Sequence, residues 1–274
     1  MITATAFVPQ LWSARLVANL DRQLIALGLV NTDYEGEITA MGDTVRIRQL
    51  GDLTVQDYTK GTPLDYTNDG TPVTMDLTIN QAKAVAFRVE DIDAVQSNIA
   101  LVDRYSGRAA MALAQEVDEY IFSLYTEGTA GTVDHDAGDD IYSAIVKART
   151  NLSKNNVGAG RFLVVTPEVY AELLENEKFI HATASGDQTL ATGQVGSIAG
   201  FDVFESNSVV TAGDVHNCLY GQYGAIAYAN QMSQMEALRD KDQFDTLVRG
   251  LFLFGAKTIQ PTALGTFAVD LNPE

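Results

Sequence analysis

The amino-acid sequence predicts an α+β protein, and three observations carry that expectation. An apolar/polar alternation runs from Val73 to Val89, a helical apolar stripe runs from Val95 to Leu124, and after it single helices alternate with short apolar strands. The first two exceed the ordinary strand of about five or six residues and the ordinary helix of about eleven or twelve.

In chain order, the first element is an amphipathic helix from Pro9 to Leu29. Trp12, Leu16, Leu20, Leu24 and Leu27 recur at steps of three or four, and Pro9 suits a first helical position. Trp12 on that stripe either packs inside or anchors a partner. Asn31 to Gly42 reads as a connector. Val45 and Ile47 then alternate with Thr44, Arg46 and Arg48 as a strand, and Gly51 to Gly70, with Gly61-Thr62-Pro63 and Asn68-Asp69-Gly70, reads as a hairpin tip.

The returning strand places Val73, Met75, Leu77 and Ile79 on one face and Thr74, Asp76, Thr78 and Asn80 on the other. The same phase resumes after Gln81 and Lys83 in Val85, Phe87 and Val89, which predicts one nearly continuous strand of about 17 residues, roughly 55 Å long. A two-stranded ribbon is marginal alone in water, and this apolar face is long for one compact domain to cover. Leu77, Ile79, Val85 and Phe87 are therefore candidate intersubunit contacts, with Trp12. A core strand of a large sandwich is the other reading of the pattern.

Glu90-Asp91-Ile92-Asp93 supplies an acidic helix start, followed by Val95, Ile99, Val102, Tyr105, Ala109, Leu113, Val117, Tyr120 and Leu124 at helical steps. The spacing predicts a helix of about 30 to 35 residues, roughly 50 Å long. Ala109, Ala110, Ala112 and Ala114 suit close packing across a sheet better than a coiled-coil seam. A glycine-rich acidic break from Glu127 to Asp140 marks a boundary. Beyond it come a helix (Ile141, Ile145, Ala148, Leu152), a buried strand from Phe162 to Val165, and a helix capped by Thr166 with Pro167 at its first position. His181 to Val195 reads as a loop. Short strands are expected at Phe201 to Phe204, Cys218 to Tyr220 and Ala225 to Ala229, and longer ones at Thr246 to Pro261 and Gly265 to Leu271.

Composition excludes several functions. Of 274 residues 46% are hydrophobic and 20% charged, which excludes disorder as the main state. With 36 acidic against 18 basic residues, a net charge of −18 argues against a basic surface that grips nucleic acid. Cys218, in an apolar stretch, reads as a small buried hydrophobe. No apolar run has the roughly 18 to 20 residues needed to cross a bilayer, and the first residues lack a secretion signal, so assembly in a cytoplasm is the expectation. Phosphate-binding, nucleophile-elbow and zinc-protease motifs are absent from the sequence. Asp134-His135-Asp136 with Asp139 and Asp140 is the best metal-like cluster, but its spacing fits neither a calcium loop nor a zinc site. Asp240, Asp242 and Asp245 around Lys241 read as a turn surface. No catalytic residue, metal ligand or cofactor is therefore assigned.

Taken in order, the parts resemble the major capsid protein of tailed bacteriophages, with the Hong Kong 97-like fold. The resemblance is carried by Gly42-Asp43-Thr44-Val45-Arg46-Ile47-Arg48 entering the hairpin, Ala86-Phe87-Arg88-Val89-Glu90-Asp91-Ile92-Asp93 joining it to the long helix, and Gly196-Ser197-Ile198-Ala199-Gly200-Phe201-Asp202-Val203-Phe204-Glu205-Ser206-Asn207. Gly224 to Ala229 and Val248 to Lys257 continue it. It implies an N-terminal arm at 1–42, an E-loop hairpin at 43–90, a peripheral domain with a spine helix at 91–138, an axial domain at 139–225 and return strands completing the peripheral domain at 226–274. It also implies a homo-oligomer of hexamers and pentamers in an icosahedral virion shell, assembled in the host cytoplasm, enclosing double-stranded DNA without sequence-specific binding and without enzymatic activity. Further implied partners are a portal, a possible decoration protein and, because this chain starts just before its arm, a separate scaffolding protein. The E-loop would lie over an adjacent subunit. Some relatives crosslink an E-loop lysine to an asparagine; Lys60 sits near this tip, where an exposed solvated lysine is the plainer reading. Two other functions are weighed: an encapsulin-like compartment shell, and a metal-dependent hydrolase using Asp134 to Asp140.

Overall fold

A computed structural model of the chain describes residues 24–33, 44–49, 55, 57, 59–61, 73–90, 100–176, 194–239 and 245–272. In chain order these form β1 (Thr44–Gln49), β2 (Val73–Thr78), β3 (Gln81–Glu90), α1 (Ala100–Ser123), β4 (Thr132–His135), α2 (Ile141–Lys154), β5 (Arg161–Val165), α3 (Pro167–Glu175), β6 (Gln194–Ile198), β7 (Phe201–Glu205), β8 (Thr211–Ala212), β9 (Val215–Gln222), β10 (Ile226–Arg239), β11 (Asp245–Thr258) and β12 (Leu264–Asp270). A 3₁₀ turn at Ala26–Gly28 precedes them, and others follow α1 and β11.

The strands make three sheets. β1 and β2 form an antiparallel ribbon with Val45 opposite Leu77 and Ile47 opposite Met75. A three-stranded antiparallel sheet has the order β10-β11-β3, and a seven-stranded sheet runs β4-β12-β9-β5-β7-β6 with β8 on β9. In the larger sheet β4, β12, β5 and β7 point the same way and β9 opposes them.

The three-stranded sheet is the middle of a sandwich, because β10 and β11 are apolar on both faces. Tyr228, Phe252 and Phe254 join the core that includes α1, where Ala110, Leu113, Ala114, Val117 and Ile121 are buried at steps of three and four. Ala227, Ala229 and Leu253, on the alternate phase, pack instead against Val45, Ile47, Leu77 and Ile79 of the ribbon and its exit. Gly255 lets the two layers touch: a Cβ there would collide with the backbone carbonyl of Thr78.

This arrangement corrects the single 17-residue strand. The chain breaks at Ile79 and Asn80, leaves the ribbon layer and enters the sheet as β3, which pairs with β11 and not with β1. Asn80 accepts a hydrogen bond from the Tyr120 hydroxyl at 3.1 Å, so the crossing is tied to α1. Although the alternation keeps its phase in sequence, Leu77 and Ile79 lie in the ribbon cluster while Val85 packs on the core that includes α1.

The described part of the long helix is 24 residues, about 36 Å at 1.5 Å per residue; the expected start near residues 91–99 lies outside the described residues. Asp140 caps α2 by accepting the Tyr142 N–H at 3.3 Å, and Thr166 caps α3 with Pro167 behind it, as the sequence indicated. Two elements differ from expectation. β4 lies within the supposed glycine-rich break, and β12 leaves the return strands to sit between β4 and β9. The expected loop at 181–193 is outside the described residues, while residues 194–198 form β6. Cys218 is wholly buried in β9, and burial pushes its thiol up to about 12, fitting the inert small hydrophobe.

Candidate assembly surface

The ribbon places its side chains by simple alternation. Val45, Ile47, Leu77 and Ile79 are 3% or less exposed within this one chain. The sequence had put Leu77 and Ile79 against a neighbouring subunit. They are instead covered by Ala227, Ala229, Leu253 and Ile259, because β10 and β11 present a second apolar face that the ribbon folds back onto. The ribbon's free face is polar: Thr44, Arg46, Arg48, Thr74, Asp76 and Thr78 are all exposed, and Arg46 lies 3.8 Å from Asp76 across the pair.

Val85 and Phe87 are half-buried. Phe87 stacks on Tyr105 with ring centroids 5.5 Å apart and planes 5° apart, and Tyr105 keeps 39% exposure. Lys83 pairs with Glu116 on the same side. β3 therefore offers a part-open aromatic and charged edge where it meets α1. Trp12 lies outside the described residues. Lys60 is exposed in a turn beside Gly61, whose φ of +93° suits glycine, and Val55 nearby in sequence is 96% exposed.

The end of the expected arm helix is a docked turn, not an unpartnered stripe. Leu24, Ala26 and Leu29 are buried in the core. Asn31 bridges to Ala227 alongside β10, with its N–H on the Ile226 carbonyl at 2.8 Å. Asp118 of α1 is 4% exposed and accepts the N–H groups of Ile25 at 3.3 Å and Ala26 at 3.1 Å. Burial raises its carboxyl to about 6, opposed by those two N–H bonds. Sequence reasoning missed this contact. Its signal was an acid one step from Ala114, Val117 and Ile121 on the buried stripe, where a charge must have a partner. Asp118, Ile25 and Met111 also line a cavity of about 410 Å³ that reaches Glu205 and Asn207.

The metal-like cluster comes apart on the strand. Asp134 is exposed, whereas His135 points the other way, 1% exposed, with Nε2 3.0 Å from Glu172. Asp140 is occupied as the cap of α2 and by Asn176 at 3.0 Å. Among the described residues no group of three or more His, Cys, Asp or Glu is placed to hold a metal ion. Among the same residues no helix is long and apolar enough to cross a membrane. Asp245, expected on a turn surface, is 1% exposed and lies 3.0 Å from Arg88 at the paired ends of β11 and β3.

The polar free face of the ribbon and the part-open edge at Val85, Phe87 and Tyr105 are surfaces this chain leaves available for contact with other chains. The sequence profile described as phage capsid protein matches residues 73–266, from the returning ribbon strand through both larger sheets. A solved structure from Mycobacterium phage Che8 is 31% identical, covers 89% of this chain and 90% of its own, and superposes with a TM-score of 0.69. The capsid of cyanophage P-SCSP1u is similar at 17% identity, 89% and 86% coverage and a TM-score of 0.66. The capsid of Ralstonia phage GP4, at 13% identity, covers 93% of this chain and 92% of its own with a TM-score of 0.66. No curated protein matches the sequence.

The chain belongs to the phage capsid protein family and has the Hong Kong 97-like fold. Its role is that of a major capsid protein, which assembles with copies of itself into the shell of the virion.

Proposed function

We propose that this subunit tiles the icosahedral head of a tailed phage as hexamers and pentamers around packaged double-stranded DNA, assembling in the host cytoplasm. The observation that carries the reading is the family match spanning ribbon, long helix and both larger sheets. On this reading 1–42 is the arm, 43–90 the E-loop, 91–138 and most of 226–274 the peripheral domain around a spine helix, and 139–225 the axial domain, with β4 and β12 lent to its sheet. The polar free face of the ribbon, its tip around Lys60 and the part-open Val85, Phe87 and Tyr105 edge are its surfaces toward adjacent copies, and Trp12 of the arm is assigned to the same task.

DNA is held by enclosure. At −18 the chain repels phosphate in bulk, so its affinity for duplex stays in the non-specific range of about 10⁻⁴ to 10⁻⁶ M at physiological salt. A separate scaffolding protein and a portal complete the assembly, and the subunit itself performs no catalysis. Negative-stain microscopy of the expressed protein, alone and with its scaffolding protein, tests the proposal. Closed, uniform shells are expected; soluble subunits that never close under either condition would overturn it.

A further inference from the structure

The cavity beside Asp118 lies where three pieces of chain meet. Met111, Ala114, Gln115 and Asp118 stand at steps of three and four along one face of α1 and make one wall. Ile25 of the docked turn adds to it, and Glu205, the last residue of β7, stands in the lining with Asn207 just beyond it. The space is about 410 Å³, within the range of a small-molecule site and far more than the roughly 30 Å³ that one water occupies.

Both charges that line this space are negative, and neither is answered from within. The two Asp118 oxygens accept one N–H each, from Ile25 and Ala26, which leaves each a further acceptor position and leaves the charge without a cation. Among the described residues no Lys, Arg or His lies at ion-pair distance from Asp118 or from half-buried Glu205. The rest of the lining is neutral. Tyr170 of α3, whose hydroxyl is pushed up by burial and then by the charge of Glu205, adds no positive charge. Asp118 is still ionised near neutrality, and a buried ionised group in a folded protein needs a countercharge. The lining also selects the kind of cation. Calcium takes six to eight oxygens, whereas among the described residues no third His, Cys, Asp or Glu joins these two to hold a metal. Met111, 53% exposed, gives an apolar flank with Ile25 and Ala114, while Gln115 and Asn207 carry amide oxygens. An aliphatic stem that ends in charged N–H donors matches that mixture.

We propose that this cavity binds an organic cation, a primary ammonium or guanidinium on an aliphatic stem, with Asp118 and Glu205 as its countercharges. Two sources carry that chemistry: a free polyamine, and a Lys or Arg side chain of another chain in the shell. Either one supplies the countercharge that Asp118 lacks, beside the turn that Asp118 holds against α1. A cation favours the carboxylate over the acid, so binding strengthens as pH rises through about 6.

The test titrates dissociated full-length subunits with 1,4-diaminobutane by calorimetry at about pH 7.5 and about pH 5, with Asp118→Asn and Glu205→Gln alongside. Saturable binding to the wild type is expected at the higher pH. Its Kd should weaken by about tenfold or more in each variant, because each removes one member of a charge pair. It should weaken by about tenfold in the wild type at the lower pH, where Asp118 is largely protonated. Circular dichroism checks folding, and Glu205→Gln, which removes no hydrogen bond of the fold, keeps the test open if Asp118→Asn misfolds. No saturable binding, or wild-type affinity in either folded variant, would overturn the proposal, since a chain at −18 attracts any cation loosely over its surface. So would magnesium chloride that binds more tightly than the diamine and is lost in the same variants, which would assign the cavity to a metal. Repeating the titration on assembled shells separates the two sources. A free polyamine leaves the cavity open to the diamine there, whereas a side chain from another chain fills it and cuts diamine affinity by about tenfold or more.

Discussion

Replacing Leu77 by alanine separates a ribbon that belongs to its own subunit from one that belongs to its neighbour. Leu77 is 0% exposed among Val45, Ile47, Ala227, Ala229 and Leu253. The loss of a fully buried leucine's outer carbons removes their transfer free energy and leaves a cavity, which together cost about 2 to 5 kcal/mol in rigid cores. The ribbon is a thin layer of two strands over β10 and β11 and can partly collapse, so the lower half, about 2 to 3 kcal/mol, is the expected loss. Leu77→Asp adds the desolvation of an unpaired carboxylate and approaches the whole stability of an ordinary domain, about 5 to 15 kcal/mol. Thr78→Asp, on the exposed face, should stay within about 0.5 kcal/mol. Urea unfolding of dissociated subunits reads these differences, with shell yield measured in parallel. Leu77→Ala should lower the subunit midpoint first and shell yield as a consequence. An unchanged midpoint together with lost shells would show that the ribbon leaves its own sheet and buries Leu77 on another subunit.

Other outcomes follow from single contacts. Asp118, raised by burial from 3.8 to about 6, binds a proton in the folded chain that the unfolded chain has already released between about pH 4 and 6. Its contribution to stability therefore falls as pH rises through that window, by up to about 3 kcal/mol at 1.36 kcal/mol per unit; urea midpoints of wild type and Asp118→Asn measured across it should converge at low pH and separate, in favour of the variant, near neutrality, and parallel profiles would refute the assignment. Deleting residues 1–29 removes Leu24, Ala26 and Leu29 from the core, so circular dichroism should show a destabilised subunit; an unchanged melt would mean the docked turn contributes nothing. Gly255→Ala should lower the thermal midpoint although alanine is the smallest possible addition, since its Cβ meets the Thr78 carbonyl; a neutral result would mean that the ribbon can lift. Cys218 should resist a thiol reagent in native subunits and react on unfolding, because burial holds it protonated.

Local order was legible where the signal is local. Thr166 and Pro167 announced α3 by capping chemistry, Ile141, Ile145, Ala148 and Leu152 announced α2 by period, and both stand where expected. The Val45 and Leu77 alternation announced a ribbon with the correct inner face. What failed was non-local. Periodicity shows that Leu77 and Val85 share a phase, but not that Asn80 carries the chain from one layer to the next, because a phase is kept across a crossing as easily as along a strand. β12 reads as one more apolar strand, and only its pairing with β4 and β9 decides which sheet it joins.

The assembly surface was legible to the same degree and for the same reason. A long apolar face in the sequence suggests a missing neighbour, yet β10 and β11, apolar on both phases in Ala227 to Ala229 and Leu251 to Phe254, are the neighbour within the chain. A strand apolar on both phases must be covered on both faces, so those residues already required a second layer. One of the two faces is met by α1 and the other by the ribbon, so on the shell reading proposed above it is the ribbon's polar side, its tip and the edge at Phe87 and Tyr105 that face other copies. Contacts of that kind are weak singly and salt-sensitive, and a shell repeats each of them in every subunit. A subunit that stores its large apolar area inside itself can stay soluble while free and still close a shell through many modest polar contacts; intersubunit burial of Leu77 and Ile79 would instead have left a free subunit with an exposed apolar sheet.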